Sequence, residues 1–213
     1  MIHEVLAVGM LQVNCSICGD ESSREAFVID PGEEAERILG IVERHRLKVS
    51  RILLTHAHID HIGGVRDLQD ATGAPVSLHP GDRHMVTQVS AQAALLGLPA
   101  PRGFEFASEL DDGGAFQLSA IEFRVLHTPG HTPGGCCFWI PSENRLIAGD
   151  TLFRESVGRT DLPGGDTEQL MRSIHSKLLP LPGETIVVPG HGPNTTIAHE
   201  RGHNPFLLLG TDG

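Results

Sequence analysis

One stretch limits what this chain can fold into more than any other: Arg51-Ile52-Leu53-Leu54-Thr55-His56-Ala57-His58-Ile59-Asp60-His61-Ile62-Gly63-Gly64. A short apolar run ends in three histidines and an aspartate packed into six residues, and two glycines come after it. Ile52-Leu53-Leu54 is too short for a helix that stands alone, so it reads as a buried strand with the His/Asp cluster as its C-terminal exit loop. Imidazole and carboxylate ligands together suit Zn, Fe or Mn. Four ligand groups in six residues exceed what a structural site draws from one loop. The cluster therefore reads as part of a metal site, for two ions.

The 213 residues make one large domain or two small ones, with room for a sizeable core. The 39% hydrophobic content and mean hydropathy of -0.06 fit a soluble globular chain. No apolar run approaches the roughly 20 residues of a membrane span. Met1-Ile2-His3-Glu4 lacks the basic start of a secretory signal, so a cytoplasmic location is expected. The 16 basic and 27 acidic residues give a net charge of -11, which argues against a nucleic-acid binder held by phosphate contacts. Two divalent ions would offset part of it. The expected partner is a small molecule, with no nucleic acid and no membrane.

Cys15-Ser16-Ile17-Cys18 matches C-x-x-C, but no second pair comes at zinc-finger spacing. It lies in an apolar run that reads as a strand, where the two side chains face opposite ways. These thiols and the adjacent Cys136-Cys137 are expected to be free, reduced core residues.

Residues 3–8 and 13–18 read as a hairpin with Gly9 near its turn, and 26–30 as a third strand stopped by Pro31-Gly32. A helix is expected over 33–45, a strand over 51–54, a helix over 65–72 closed by Gly73, a strand over 76–78 and a helix over 82–96. Strands come next at 115–118, 121–126, 135–140 and 145–148. Residues 152–165 form a loop without a regular period, Asp166 caps a helix to about Leu179, 185–188 is a last strand, and a short helix falls near 196–203. This order suggests two sheet-plus-helix halves packed sheet to sheet, with helices outside. Arg51-Ile52-Leu53-Leu54-Thr55-His56 and Arg145-Leu146-Ile147-Ala148-Gly149-Asp150 share one device: a basic residue, a buried strand, and a ligand-type residue at its end.

Two further strand exits do the same. Val125-Leu126 leads to His127 and His131 through Pro129-Gly130, and Ile186-Val187-Val188 leads to Pro189-Gly190-His191-Gly192. Strand ends converging on one edge would assemble His56, His58, Asp60, His61, His131, Asp150 and His191. Seven groups are too many for one tetrahedral ion and suit two ions sharing a carboxylate.

T-H-x-H-x-D-H with a distant His, Asp and His after it resembles the metallo-β-lactamase superfamily across nearly the whole chain. The resemblance implies a four-layer αββα sandwich of α/β class. It also implies one metal on His56, His58 and His131, a second on Asp60, His61 and His191, and Asp150 bridging them. Gly149-Asp150-Thr151-Leu152-Phe153, Gly158-Arg159-Thr160-Asp161-Leu162-Pro163-Gly164-Gly165-Asp166 and the stretch from Glu200-Arg201 to Asn204-Pro205-Phe206 resemble single-domain bacterial members of the glyoxalase II group, hydroxyacylglutathione hydrolases. The chain then reads as one domain over 1–213, without the C-terminal helical domain that helps grip glutathione in two-domain forms, and it contains no tyrosine of the kind that binds substrate there.

The activity implied by this resemblance is that of a metal-dependent hydrolase, which cleaves a thioester such as S-lactoylglutathione with a metal-activated hydroxide. Zn is the first choice of metal, with Fe or Mn as alternatives, and Asp60 is the catalytic candidate for orienting the nucleophile and receiving its proton. Two other activities share the fold: a mono-iron persulfide dioxygenase, using His56, His131 and Asp150, and a lactonase or other ester hydrolase. Arg159 either binds a substrate carboxylate or pins its loop through Asp161. Asn14 reads as loop support. His127 reads as a surface or core histidine, with hydrogen bonding to a metal ligand as its alternative. His3, His45, His79, His84 and His175 read as surface or core residues. His199-Glu200-Arg201-Gly202-His203 matches H-E-x-x-H, but Gly202 weakens the helix that motif needs and Asn204-Pro205 ends it at once, so a zincin site is not expected.

Overall fold

The computed structural model describes residues 1–208, apart from the side chain of Leu96. Positions 209–213 of the expected 1–213 domain lie outside the described residues. In chain order the strands and helices are β1 (Ile2–Val8), β2 (Val13–Gly19), β3 (Glu25–Ile29), α1 (Ala35–Arg44), β4 (Lys48–Leu53), α2 (Ile59–Ile62), α3 (Val65–Thr72), β5 (Val76–Leu78), α4 (Arg83–Thr87), α5 (Val89–Leu96) and β6 (Ser108–Glu109). Then come β7 (Ala115–Leu118), β8 (Ile121–His127), β9 (Cys136–Ile140), β10 (Arg145–Gly149), β11 (Leu152–Phe153), β12 (Ser156–Val157), α6 (Thr167–Ser173), β13 (Ile186–Pro189), β14 (Thr195–Thr196), α7 (Ile197–His203) and α8 (Pro205–Leu208). One sheet runs β1-β2-β3-β4-β5-β6 and the other β14-β13-β10-β9-β8-β7.

Side-chain alternation along the strands sorts the core into three layers. Ala26 and Val28 of β3 pack under Ile38 and Val42 of α1 and Val65 and Leu68 of α3. Phe27 and Ile29, from the other face of the same strand, meet Phe123, Val125, Phe138 and Ile147 between the sheets. Leu146 and Ala148 of β10 pack with Leu170 of α6 and Ile197 of α7. Helices therefore cover the outer face of each sheet, giving the αββα sandwich. Phe27 and Phe123 are edge-on at 5.1 Å across its middle. Cys15 belongs to the first layer and Cys18 to the second, Cys136 to the second and Cys137 to the third, and all four are free and buried. No helix among the described residues is long and apolar enough to cross a membrane.

The structure departs from the sequence expectations in several places besides the short elements α2, β6, β14 and α8. The 82–96 helix is two helices, α4 and α5, which meet at Gln88; Gln92 of α5 turns inward to bond the backbone of Ile59, Ala57 and Met85. The 152–165 loop contains the β11–β12 hairpin. After Ser173 the α6 segment widens into a π-helical turn over Ile174–Leu178. Asp30 leaves β3 with a φ of 53°, which frees its carboxylate to bond the backbone N–H of Thr55.

Candidate metal centre

Four strand exits deliver the seven side chains to one place. β4 ends in the loop carrying His56 and His58 and in α2 with Asp60 and His61, β8 is followed by the turn bearing His131, β10 by Asp150 and β13 by His191. The exits are tied by backbone bonds, Asn14 N–H to Gly190 O at 2.7 Å, Cys136 N–H to Thr55 O at 2.8 Å and Gly190 N–H to Gly149 O at 2.8 Å. Glycine is required at 190: a Cβ there would stand 2.1 Å from Asp150 Oδ1.

Three groups of ligand atoms lie within 4.8 Å of one another: His56, His58 and His131; Asp60, His61 and His191; and His56, His61 and Asp150. His131 Nε2 and His58 Nδ1 face each other at 2.9 Å. Asp60 Oδ2 is 3.2 Å from His191 Nε2 and 3.8 Å from His61 Nε2. Asp150 stands between the groups, 3.4 Å from His61, 3.6 Å from His131 and 3.7 Å from His191.

Four histidines are anchored by the nitrogen that faces away from the cluster. His131 Nδ1–H donates to the Arg159 carbonyl at 2.7 Å and His191 Nδ1–H to the Leu11 carbonyl at 2.9 Å. His61 Nδ1–H donates to Asp30 Oδ2 at 3.0 Å. The Thr55 hydroxyl gives its proton to Asp30 Oδ2 at 2.6 Å and so accepts from His56 Nδ1–H at 3.0 Å. Each anchor fixes the tautomer and leaves an Nε2 lone pair aimed inward, as metal-binding histidines require. His56 Nε2, His61 Nε2 and Asp150 Oδ1 are buried without a hydrogen-bond partner. Unpartnered buried polar atoms are costly, and a cation among them would satisfy all three. The residues fit a metal pair.

The electrostatics agree. Burial, with the neighbouring imidazoles, holds His58 down to about 4 and His56 well below its ordinary value, so both present lone pairs. Burial acts against charge on His61 and His191, but Asp150 and Asp30 outweigh it at His61 and Asp60 and Asp150 at His191, raising both. Burial likewise opposes ionisation of Asp60 and Asp150, and the facing histidines overcome it. This half of the cluster stabilises positive charge, whether a proton or a metal supplies it.

A cavity of about 810 Å³ lies against the cluster and reaches His58, Asp60, His131, Asp150, His191 and Arg159. The Arg159 guanidinium is engaged at 2.8 Å by both carboxylate oxygens of Asp161, while its carbonyl holds His131. Asn14 supports the His191 loop, donating to Pro189 O at 3.0 Å and Gly192 O at 2.9 Å. His127 bonds no ligand of the set: its Nε2–H donates to Pro133 O at 2.9 Å and its ring stacks on His79 at 3.8 Å. His84, expected to be bland, lines the cavity. The H-E-x-x-H stretch does lie on a helix, α7, but His199 pairs with Glu155 and Glu200 is buried against Thr195 and Asn204, so it is spent on structure. Asp30 and Asp82 are the orienting residues that sequence reasoning missed. Asp30 could have been found, since it ends a buried strand before Pro31-Gly32 much as the ligands end theirs.

Residues 8–191 match the family profile of the metallo-beta-lactamase superfamily, and the chain belongs to that family. Fold and site define a metallo-hydrolase. A hydroxyacylglutathione hydrolase, GloC, of Haemophilus influenzae is 38% identical over 96% of this chain and 97% of its own. The crystal structure of TTHA1623 in a di-iron-bound form is 41% identical with a TM-score of 0.86, covering 96% of this chain and all of that one (100%). ETHE1 from Myxococcus xanthus is 30% identical with a TM-score of 0.81, covering 96% of this chain and 84% of that one.

Proposed function

We propose that this chain is a binuclear metallo-hydrolase that cleaves a small-molecule thioester of the hydroxyacylglutathione type. The position of Asp150 carries the reading: one carboxylate within 3.4–3.7 Å of histidines from both groups is the arrangement a shared pair of ions needs. His56, His58 and His131 would hold one ion and Asp60, His61 and His191 the other, with Asp150 between them. Zn is the first choice, and the di-iron neighbour supports iron as an alternative. When bound, such a pair would lower the pKa of a bound water to about 7 and polarise a carbonyl.

The chain's own residues do the rest. Asp30, Thr55 and the carbonyls of Leu11 and Arg159 hold four imidazoles in the tautomer that keeps Nε2 unprotonated. Asp60, 3.2 Å from His191, would orient the attacking water and receive its proton. A thiolate leaving group, with a pKa near ~8.5, departs with little acid assistance. The free buried thiols suit a reducing compartment, which supports a cytoplasmic location.

The test is metal analysis of the purified protein beside thiol release from S-lactoylglutathione, with oxygen uptake on glutathione persulfide as the competing assay. Two ions and thiol release are expected. One iron with oxygen uptake would favour the dioxygenase reading, and one ion with no thioester turnover overturns ours.

A further inference from the structure

The cavity over the metal cluster has a chemical character of its own. Away from the ligand residues its walls come from the β1–β2 turn (Leu11), from α4 and α5 (Met85, Leu95) and from the segment after Asp150 (Phe153, Val157, Leu162). Leu11 and Leu95 are 44% and 81% exposed. Large aliphatic side chains left in water beside a catalytic cleft are surface that a ligand can cover with gain.

Charge in the cavity is sparse. Outside the ligand histidines, Arg159 and His84 are the only basic side chains lining it among the described residues. Both carboxylate oxygens of Asp161 already engage the Arg159 Nε and Nη2. His84 Nδ1–H donates to Gly81 O at 3.1 Å. Glutathione carries two carboxylates, and of the two basic side chains here Arg159 is already paired with one carboxylate.

We infer that the substrate of this centre carries an uncharged alkyl or aryl arm beside the scissile carbonyl, and that Leu11 and Leu95 set the preference by covering that arm. This keeps the proposed thioester hydrolase, moves its preferred substrate from the glutathione conjugate to a less charged one, and rests on the same site.

The metal-loaded full chain is assayed with two thioester series. One places acetyl, butyryl or hexanoyl on N-acetylcysteamine, an uncharged thiol. The other joins lactate to ethanethiol, butanethiol or hexanethiol. S-Lactoylglutathione is the charged comparison. In at least one series kcat/KM should climb by up to about fourfold per methylene until the cavity is filled, and its longest member should exceed S-lactoylglutathione. Leu95→Ser and Leu11→Ser should flatten the climb, whereas damage to folding or metal binding lowers every ester alike. Calorimetric titration with acetate, butyrate and hexanoate, and with the three thiols, reads the same preference without turnover.

Flat series in both formats, or S-lactoylglutathione preferred to every apolar ester, overturns the inference and leaves the hydrolase reading intact. No thioester turnover, with calorimetric affinity still rising with chain length, removes the proposed activity and keeps the apolar-arm inference. No turnover with flat affinity removes both.

Discussion

The buried carboxylate of Asp82 accepts the backbone N–H of Gly134, in the loop of His131, at 2.6 Å, and its other contacts tie that loop to a second ligand loop. The other oxygen accepts Ala57 N–H at 3.1 Å and the Thr132 hydroxyl at 2.8 Å. Ala57 lies between His56 and His58, and Thr132 is next to His131, so one side chain spaces all three histidines of one group. The approach is close enough that a Cβ at 134 would meet Asp82 N at 2.6 Å. Asp82→Ala strands three donors, at about 1–3 kcal/mol for each that stays buried and unpaired. It should weaken metal binding about 10–100-fold, the range of supporting-residue losses at metal sites. Asp82→Asn, which keeps one acceptor oxygen, should fall between. Chelator competition reads both; unchanged affinity in Asp82→Ala would remove the spacing role.

Gly190→Ala should damage the other group first. Its methyl would stand 2.1 Å from Asp150 Oδ1 and 2.8 Å from His61 Cε1. Metal analysis should fall from two ions toward one per chain, while far-ultraviolet circular dichroism keeps its shape.

Between the sheets, Phe27→Ala empties the space beside Phe123 and should cost about 3–5 kcal/mol. A double-mutant cycle with Phe123→Ala should show coupling of roughly 0.5–1.5 kcal/mol, typical of an edge-to-face pair. Urea denaturation measures it, and additive losses would contradict the contact.

Stability should also fall in mild acid through His3. Its Nε2–H donates to Ser16 Oγ at 3.1 Å, and its Nδ1 accepts from Arg145. Burial, helped by Arg145 and opposed by Glu4, lowers its pKa from 6.5 to about 4. The unfolded chain therefore binds more protons between those values. The contribution is complete above about pH 6.5 and is lost as pH falls toward 4. His3→Gln should remove this part of the slope, read as the difference between the two proteins' unfolding curves at each pH.

The parts that could be read in advance share a physical pattern. The strand exits were legible because an apolar run, a glycine or proline and a ligand-type side chain coincide at His56, His131, Asp150 and His191. The break at Gln88 was not, since no glycine or proline marks it and Gln92, which reaches the metal loop just after it, gives no local signal. Two-residue strands such as β6, β12 and β14 are too short to show a period. Asp82 sits in Pro80-Gly81-Asp82, which reads as a turn, and its partners lie 25 and about 50 positions away. The Leu11 and Arg159 anchors left no signal, because main-chain carbonyls have no letter in the sequence.

Those two carbonyls have an evolutionary consequence. Any amino acid at position 11 or 159 supplies the same oxygen to His191 or His131, while its side chain faces the cavity. Mutation there can retune which molecules are accepted without disturbing how the metals are gripped, so selectivity is free to drift on an unchanged reaction centre.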